Sequence, residues 1–334
     1  MPVKVKVSGA WKDAVPKVKV SGAWKDVSQK WVKVSGVWKS LLSTATGNNV
    51  YTGSQDGTVR KLNSNGNEIW SFTGHTGSSV FDVAVDSSGN VYSASTDNTV
   101  RKIDPNGNQV WSFTGHTDTV WGVAVDSLGN VYTGSTDNTV RKIDSNGNQI
   151  WSFTGHTRTV LGVAVDPDSD SHVYSVSVDT TVRKIDSNGN QVWSNTVHQT
   201  NVWGVSVSGS QVFTGSSDNT VRKFEQNGLL VWTFTGNTAS VNGVAADSLG
   251  NVYSAGDNDN DNDTVKKIEN AGAGTEVWSF AGHTDNAFDV AVDSSGNVYS
   301  ASIDNTVRKI DSNGNQIWSF TGHTDSVYAV AVDP

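Results

Sequence analysis

The segment 130–156, NVYTGSTDNTVRKIDSNGNQIWSFTGH, recurs with small changes seven times along the chain. A Val followed by Tyr or Phe marks each copy, and successive copies are 41, 40, 42, 39, 40 and 46 residues apart. The marker pairs are Val50-Tyr51, Val91-Tyr92, Val131-Tyr132, Val173-Tyr174, Val212-Phe213, Val252-Tyr253 and Val298-Tyr299. A period near 40 residues indicates a repeat architecture whose copies bury their hydrophobic faces against one another.

One copy reads as four short strands joined by turns. In the third copy the predicted strands cover 120–126, 131–135, 139–144 and 149–153. Asn146-Gly147, between the last two strands, is typical of a type I′ hairpin turn. Four antiparallel strands in each of seven copies predict an all-β fold, a seven-bladed β-propeller of four-stranded antiparallel blades.

The two ends of the repeat region predict how the ring closes. The first copy begins at its second strand, and the C-terminus carries one additional strand, 327–333, that matches the missing first strand. Residues 40–46 could also fill that place, but they do not match the consensus. We therefore expect an N-terminal β-repeat arm over 1–40, a connector over 41–48, and a propeller over 49–334 that its C-terminal strand closes.

The arm contains a different repeat, VKVSGxWK, at 5–12, 18–25 and 32–39. Alternation of Val and Lys predicts a half-buried strand that ends at a Gly turn and a Trp. Residues 1–40 carry a net charge of +7, whereas the rest of the chain carries −16. Three such strands need another surface to cover Trp11, Trp24 and Trp38. That surface is either the body of this chain, as for a small cap, or other molecules, as for an anchoring and assembly module.

Composition narrows the remaining possibilities. The chain has no cysteine, so disulfides and cysteine chemistry are excluded. It has no apolar run long enough to span a membrane, and the segment MPVKVKVSG lacks the apolar core of a signal peptide. The acidic body argues against nucleic acid as a partner. The Arg-Lys pairs of the third strands are expected to pack their stems between blades, with their heads near Asp.

Two motifs of each copy resemble the WD repeat, here Gly115-His116 and the segment 135–141, STDNTVR. The resemblance covers roughly 49–334. The repeated Trp in the fourth strand is more similar to quinoprotein-type propeller repeats, and the phrase GVAVDSLGNVY is similar to NHL repeats. The WD resemblance implies a hydrogen-bond network that ties each His to the turn Asp of the same copy.

A Ser, His and Asp set of this kind could also suggest a catalytic triad. Six copies carry the set, however, whereas an active site is usually singular. We therefore expect a structural network, weaker in the sixth blade, where Asn237 replaces His. The network residues are His75, Asp97, His116, Asp137, His156, Asp179, His283 and Asp304.

The positions at which the copies differ are the candidates for recognition. One follows the first residue of each first strand, and the WD resemblance implies that these positions converge on one face around the central channel. We predict that this propeller face binds a protein or a glycan, although its residues could simply pack the inner ends of the blades. The candidate residues are Phe81, Trp121, Leu161, Trp203, Phe288, Tyr328 and Arg158.

The sixth copy also carries an acidic insertion, 256–263, GDNDNDND. Its alternate carboxylates resemble the opening of calcium loops. The sequence offers either a calcium site at Asp257, Asp259, Asp261 and Asp263 or a mobile acidic loop. We expect no other cofactor.

No phosphate loop, metal constellation or isolated acid–base pair stands out, so we expect a non-enzymatic binding or structural protein. The tandem VKVSGxWK units resemble segments of tailed-phage virion proteins. That resemblance implies an oligomeric component of a larger assembly such as a virion, with a structural or host-recognition role, held by its arm. The alternatives are a scaffold of the bacterial cytoplasm, a lectin-like adhesin and a quinoprotein-type enzyme.

Overall fold

A computed structural model describes residues 48–166, 172–257 and 265–333 in full and, in the first 47 residues, the backbone of six strands. The chain forms two compact units, Met1–Gly47 and Asn48–Pro334. Every regular element that the structure describes is a β-strand.

The first unit consists of three separate two-stranded antiparallel sheets. Its strands are β1 (Val3–Val7), β2 (Ala10–Ala14), β3 (Lys17–Val20), β4 (Ala23–Asp26), β5 (Trp31–Val34) and β6 (Val37–Ser40), paired in succession. Each VKVSGxWK unit therefore contributes two strands, and the prediction of one strand ended by its Trp is wrong. Val7 pairs with Ala10, and a two-residue connection of this length is typical of a β-hairpin. In each hairpin a Lys pairs with the Trp, as Lys6 does with Trp11.

The second unit is a ring of seven four-stranded antiparallel sheets. The strands of the first three blades are β7 (Val50–Ser54), β8 (Val59–Leu62), β9 (Glu68–Phe72), β10 (Val80–Val85), β11 (Val91–Ser95), β12 (Val100–Ile103), β13 (Gln109–Phe113), β14 (Val120–Val125), β15 (Val131–Ser135), β16 (Val140–Ile143) and β17 (Gln149–Phe153). Those of the fourth and fifth blades are β18 (Val160–Val165), β19 (Val173–Ser177), β20 (Val182–Ile185), β21 (Gln191–Asn195), β22 (Val202–Ser208), β23 (Gln211–Ser216), β24 (Val221–Glu225) and β25 (Leu230–Phe234). Those of the sixth and seventh are β26 (Val241–Ala246), β27 (Val252–Gly256), β28 (Val265–Ile268), β29 (Glu276–Phe280), β30 (Ala287–Val292), β31 (Val298–Ser302), β32 (Val307–Ile310) and β33 (Gln316–Phe320), followed by β34 (Val327–Val332). The predicted seven-bladed propeller is confirmed.

The last strand closes the ring. Strand β34 pairs with β7, with Val327 opposite Ser54 and Val332 opposite Val50, to give the first blade the order β34-β7-β8-β9. The predicted closure by the C-terminal strand is confirmed, and the alternative that places 40–46 there is wrong.

The hydrophobic core lies between neighbouring blades. Between the second and third blades, Tyr92 and Phe113 of one blade pack with Val120 and Ile143 of the next. The repeated Trp of the outermost strand adds a hydrogen bond across the same boundary, as Trp111 Nε1 donates to Ser145 O at 3.0 Å. Because that acceptor is a backbone atom, the contact does not depend on the side chain of the turn that it reaches.

Each blade contains two β-bulges. In the third blade Val120 pairs with Ser135 and Gly122 with Gly134, so that Trp121 is the additional residue of the innermost strand. On the outermost strand the register shifts in the same way around Ile150, whose side chain is 52% exposed. A bulge bends its strand and redirects a side chain.

The turn between the third and fourth strands differs from the predicted type I′ hairpin. Gly147 has a φ of 92°, but Asn146 is not among the residues with positive φ. The Asp144 carboxylate instead accepts hydrogen bonds from the backbone N–H groups of Asn146 and Asn148. Such an Asx turn lets Asp organise the loop, so one glycine with positive φ suffices.

Candidate functional site

Aromatic side chains from the inner bulges surround one mouth of the central channel. Five of them form a closed cycle, and we call them the aromatic ring. Its members, in order of contact, are Phe81, Trp121, Trp203, Phe288 and Tyr328. Phe81 and Trp121 stack with 4.0 Å between ring centroids, and the other four contacts are 5.0 to 6.0 Å. The structure thus brings together residues that are up to 247 positions apart in sequence.

The polar members of the ring are fixed by a residue from the turn between the second and third strands of the same blade. Trp203 Nε1 donates to Ser217 Oγ at 2.7 Å, and Trp121 Nε1 donates to Thr136 Oγ1 at 2.9 Å. The Tyr328 hydroxyl donates to Gln55 Oε1 at 2.6 Å. These three members of the ring are therefore held in place before any ligand arrives.

In other blades, the bulge residue of the innermost strand and the turn residue also suit each other in polarity. Leu161 has Val178 as its turn residue and Phe288 has Ile303, so neither pair carries a side-chain hydrogen-bonding group. Phe81 has Thr96, whose hydroxyl accepts from the backbone N–H of Ser79. The residue after the first residue of each first strand and the residue of the turn in the same blade thus vary together as matched pairs.

The sixth blade also has a pair of this kind. Its turn residue could not be recognised in the sequence because it is the second residue of the acidic insertion. Asn242 Nδ2 donates to Asp257 Oδ1 at 2.8 Å, at the place of Thr136. Asp257 thus has a role in the channel mouth. The other three residues of the predicted calcium site, Asp259, Asp261 and Asp263, lie outside the described residues. Within the described part of the chain, no three His, Cys, Asp or Glu side chains are grouped so as to hold a metal ion.

The aromatic ring and the residues that follow its members along the inner strands line a cavity of about 190 Å³. Asp82 and Asp289 line it, at the position where the other five blades carry glycine or alanine. Burial, and then the charge of Asp289, raise the pKa of Asp82 well above its usual range. Burial raises the pKa of Asp289 to about 6. Sequence reasoning missed both residues, although a comparison of the copies at this position would have found them.

The predicted network residues are joined as the WD resemblance implies. In the third blade His116 Nδ1 lies 2.8 Å from Asp137 Oδ2, and Nε2 lies 2.7 Å from Thr133 Oγ1. A carboxylate only accepts hydrogen bonds, so Nδ1 carries the proton and the hydroxyl donates to Nε2. The same bonds occur in the blades of His75 and Asp97, His156 and Asp179, and His283 and Asp304.

Burial decides what this network can do. Burial lowers the pKa of His116, although Asp137 opposes the shift. Burial alone would raise the pKa of Asp137, but hydrogen bonds from His116 and Thr139 hold it well below its usual range. Thr133 is fully buried, so its hydroxyl cannot meet a substrate. The arrangement stabilises the fold and has no access for nucleophilic catalysis.

The other two of the six copies that carry the predicted set are joined in the same way. His198 binds Asp218, and His323 binds Asp56 across the two ends of the ring. In the sixth blade Asn237 makes one long contact of 3.5 Å with Ser254, and its Nδ2 is buried without a hydrogen-bond partner.

Further unpaired donors lie close to the sixth blade. In five other blades the Arg of the third strand reaches a Gln or Glu on the fourth, as Arg141 Nη1 does with Gln149 Oε1 at 2.8 Å. Arg222 of the fifth blade faces Leu230 at that position, and its Nε and Nη1 atoms are buried without a partner. Trp232 Nε1 is also unpaired, whereas the equivalent Trp111 Nε1 bonds to the next blade. These defects mark the least regular part of the ring.

The remaining candidates do not join the aromatic ring. Arg158 is exposed in the loop that precedes β18, and only its backbone carbonyl makes a described bond, to Ser177. Leu161 lines the cavity and is buried. The side chains of Trp11, Trp24 and Trp38 lie outside the described part of the chain. No described helix is long and apolar enough to cross a membrane.

Seven blades, a latched ring and a repeated His–Asp network define a β-propeller of the WD-repeat type. A family profile described as "WD domain, G-beta repeat" matches 274–311. A second profile, described as "Outer membrane protein assembly factor BamB", matches 55–165, 96–187 and 136–262, which together run without a break over more than half of the chain. The chain belongs to this second family. A search of the curated proteins finds no match.

Proposed function

We propose that this protein is a non-enzymatic binding scaffold whose aromatic ring receives a protein partner. The observation that carries the proposal is the closed cycle of five aromatic side chains, three of them fixed by matched hydrogen bonds. Aromatic residues with a fixed orientation offer a large contact area at small entropic cost and dominate binding at interfaces. Both families that match the chain are propeller repeat families, which generally mediate protein interactions.

The arm supports a place in a larger assembly. The matched family is described as an outer membrane protein assembly factor. Isolated two-stranded hairpins are marginally stable in water, so the three hairpins of the arm require another surface. We propose that this surface belongs to other subunits of a virus particle, where the ring serves a structural or host-recognition role. A scaffold of the bacterial cytoplasm is the second candidate, because the assembly-factor name does not require a virus.

The cavity favours binding over catalysis. Its volume of about 190 Å³ is smaller than the ~300–1,000 Å³ typical of sites that enclose a small molecule. A quinoprotein-type enzyme would need room for a bulky cofactor in the channel. A lectin-like adhesin remains the other candidate use of the aromatic ring, since aromatic faces also stack on sugars.

The test compares proteins retained by the immobilised full chain and by two double variants. Trp121→Ala with Trp203→Ala removes three of the five contacts in the ring. Ile150→Ala with Ile317→Ala removes exposed side chains from the outer edge and is the control. We expect a specific protein from a bacterial lysate to be retained by the wild type and the control, and at least tenfold less by the ring variant.

Equal retention by all three proteins would contradict the proposal. A glycan array with the same variants distinguishes a lectin-like adhesin from a protein-binding scaffold, because only the adhesin would bind a defined sugar through the two tryptophans. For the arm, the full chain with Trp11→Ala, Trp24→Ala and Trp38→Ala should lose oligomerisation or particle association. Unchanged sedimentation would remove the anchoring role.

A further inference from the structure

Asp82 and Asp289, which we call the floor of the cavity, are acidic, whereas the aromatic ring that forms its wall is uncharged. Asp82 and Asp289 directly follow Phe81 and Phe288, so each of these two blades contributes a phenyl ring and a carboxylate in succession. The other blades place Gly122, Gly162, Gly204, Gly243 or Ala329 at the position of the carboxylates. The two exceptions flank the first blade, so both carboxylates lie on one side of the channel.

Each carboxylate joins two blades. Asp82 Oδ1 accepts from Val83 N and Oδ2 from Val123 N of the next blade, both at 2.8 Å. Asp289 accepts in the same way from Val290 N at 2.8 Å and Val330 N at 2.9 Å. A carboxylate oxygen can accept two hydrogen bonds, and each of these accepts one. Half of the acceptor capacity of each carboxylate is therefore not used by these four bonds.

No positive side chain offsets these charges. The described lining of the cavity contains no Lys, Arg or His, and its only other titratable residue is Tyr328. Two carboxylates in a site of reduced dielectric repel each other, and a cation placed between them would be attracted by both. The raised pKa of Asp289 follows from burial, and a bound cation would lower it.

In this proposal a ligand reaches the floor by passing the ring members whose side chains make no hydrogen bond. Trp121, Trp203 and Tyr328 are fixed by their turn residues. Phe81 and Phe288, which stand next to the two aspartates, have no polar atom to fix them. Rotation of a phenyl ring would open a path to the carboxylate that follows it in sequence.

We propose that the cavity receives the side chain of a lysine from the partner, with its stem against the aromatic ring and its ammonium group between Asp82 and Asp289. The inference rests on the proposed function, since it assigns the chemistry of the partner at the same face. A compact ammonium group attracts both carboxylates and the faces of aromatic rings. The cavity of about 190 Å³ has room for about six water volumes at ~30 Å³ each, which suits one extended side chain.

The probe is n-butylammonium, which reproduces the end of a lysine side chain, with n-butanol as the neutral control of similar shape. Both are titrated at constant ionic strength into ¹⁵N-labelled full-length protein at pH 7.5. The amides of Val123 and Val330 report on the floor, and the indole N–H groups of Trp121 and Trp203 report on the ring. We expect saturable shifts of both sets with n-butylammonium and at least tenfold weaker binding of n-butanol.

The matched variant is Asp82→Ala with Asp289→Ala, since Ala329 already occupies this position in the first blade. We expect it to keep the ring and to bind n-butylammonium at least tenfold more weakly. Asp289→Ala alone serves if the double variant does not fold, and should weaken binding at least threefold. Binding to the wild type should also weaken from pH 7.5 to pH 5, as the carboxylates take up protons.

Equal binding of the amine and the alcohol, no shift with the amine, or unchanged binding by the variants would each overturn the inference. The proposed function is tested separately. A partner lost with the tryptophan variant but retained by the aspartate variant would leave the scaffold in place and remove the lysine.

Discussion

The hydroxyl of Tyr51 donates a hydrogen bond of 2.8 Å to Oδ1 of Asp333, which joins the second strand of the first blade to the end of the chain. Oδ2 of the same carboxylate accepts from the backbone N–H and the side chain of Asn49. In the third blade Asp126 makes the equivalent bonds to Asn130 and Tyr132, but there all partners belong to one continuous segment. The same bonds therefore close the ring in one blade and only support a turn in another.

Asp333→Ala and Asp126→Ala should thus differ in their local effect. Each removes a carboxylate that accepts hydrogen bonds from a Tyr hydroxyl and an Asn, so each should lower the free energy of unfolding by about 1–3 kcal/mol. Only Asp333→Ala should accelerate amide hydrogen exchange in β7 and β34, because only there does the lost carboxylate hold the two chain ends together. Equal exchange in the two variants would contradict a special role for the latch.

Removal of Trp Nε1 should cost stability in one blade and not in another. Trp111→Phe deletes the bond to Ser145 O, and we expect a loss of about 0.5–1.5 kcal/mol in addition to lost packing. Trp232→Phe makes the same change in shape but deletes a buried donor that has no partner. Urea unfolding should show that Trp232→Phe lowers the free energy of unfolding by less than Trp111→Phe does, with a gap of at least half of the hydrogen-bond loss given above. The reverse order would count against the assignment of the unpaired donor.

The unpaired Nε and Nη1 atoms of Arg222 predict a stabilising substitution. Leu230→Gln places a carbonyl oxygen where Gln149 serves Arg141, so we expect a gain of about 0.5–1.5 kcal/mol. Gln149→Leu is the reciprocal change in the third blade and should cost a similar amount. Thermal unfolding of the two variants checks both signs, and a destabilised Leu230→Gln protein would refute the prediction.

Acid should destabilise the folded chain. Burial lowers the pKa of four network histidines, namely His116, His156, His198 and His283. The unfolded chain takes up protons on them below about pH 6.5 and the folded chain does so only at lower pH, so the free energy of unfolding falls as the pH falls. The network aspartates, whose pKa values are held low, add a steeper loss near pH 4, where their unfolded counterparts become protonated.

Asp82 and Asp289 act with the opposite sign, because their pKa values are raised in the fold. Their contribution is present at low pH and is lost as the pH rises through about 6 for Asp289. The double variant Asp82→Ala with Asp289→Ala should therefore lose stability more steeply than the wild type between pH 6.5 and 5. Denaturant unfolding at several pH values measures both slopes, and parallel curves would show that the two carboxylates are not perturbed.

The fold was predictable because its determinants are local and repeated. Seven copies of one pattern specify the same four strands, and the surplus strand at 327–332 specifies closure. The aromatic ring was predictable as a set of variable positions, but its contacts were not, since Trp203 and Phe288 meet only when blades five and seven face one channel. Asp82 and Asp289 could not be predicted from the aromatic positions, because they lie at the next position along the strand, which is glycine or alanine in the other five blades.

Two local errors have physical causes. The Asn146-Gly147 pair suggested a type I′ turn, but the carboxylate of Asp144 competes for the backbone donors and selects another loop. The arm repeat predicts one strand because its Val–Lys alternation ends at Gly, and the second strand, which carries the Trp, is too short to show a period.

The bulge around Ile150 recurs on the outermost strand of every blade, and the exposed aliphatic residue that it presents is Ile69, Val110, Ile150, Val192, Val231, Val277 or Ile317. A bulged edge is a poor template for another strand. The bulged outermost strands therefore disfavour pairing of the rim with strands of other molecules. The hairpins of the arm, in contrast, have unbroken registers and unpaired edges within their sheets. If the proposed anchoring role of the arm holds, we expect an ordered array of this chain to form through the N-terminal hairpins and not through the rim.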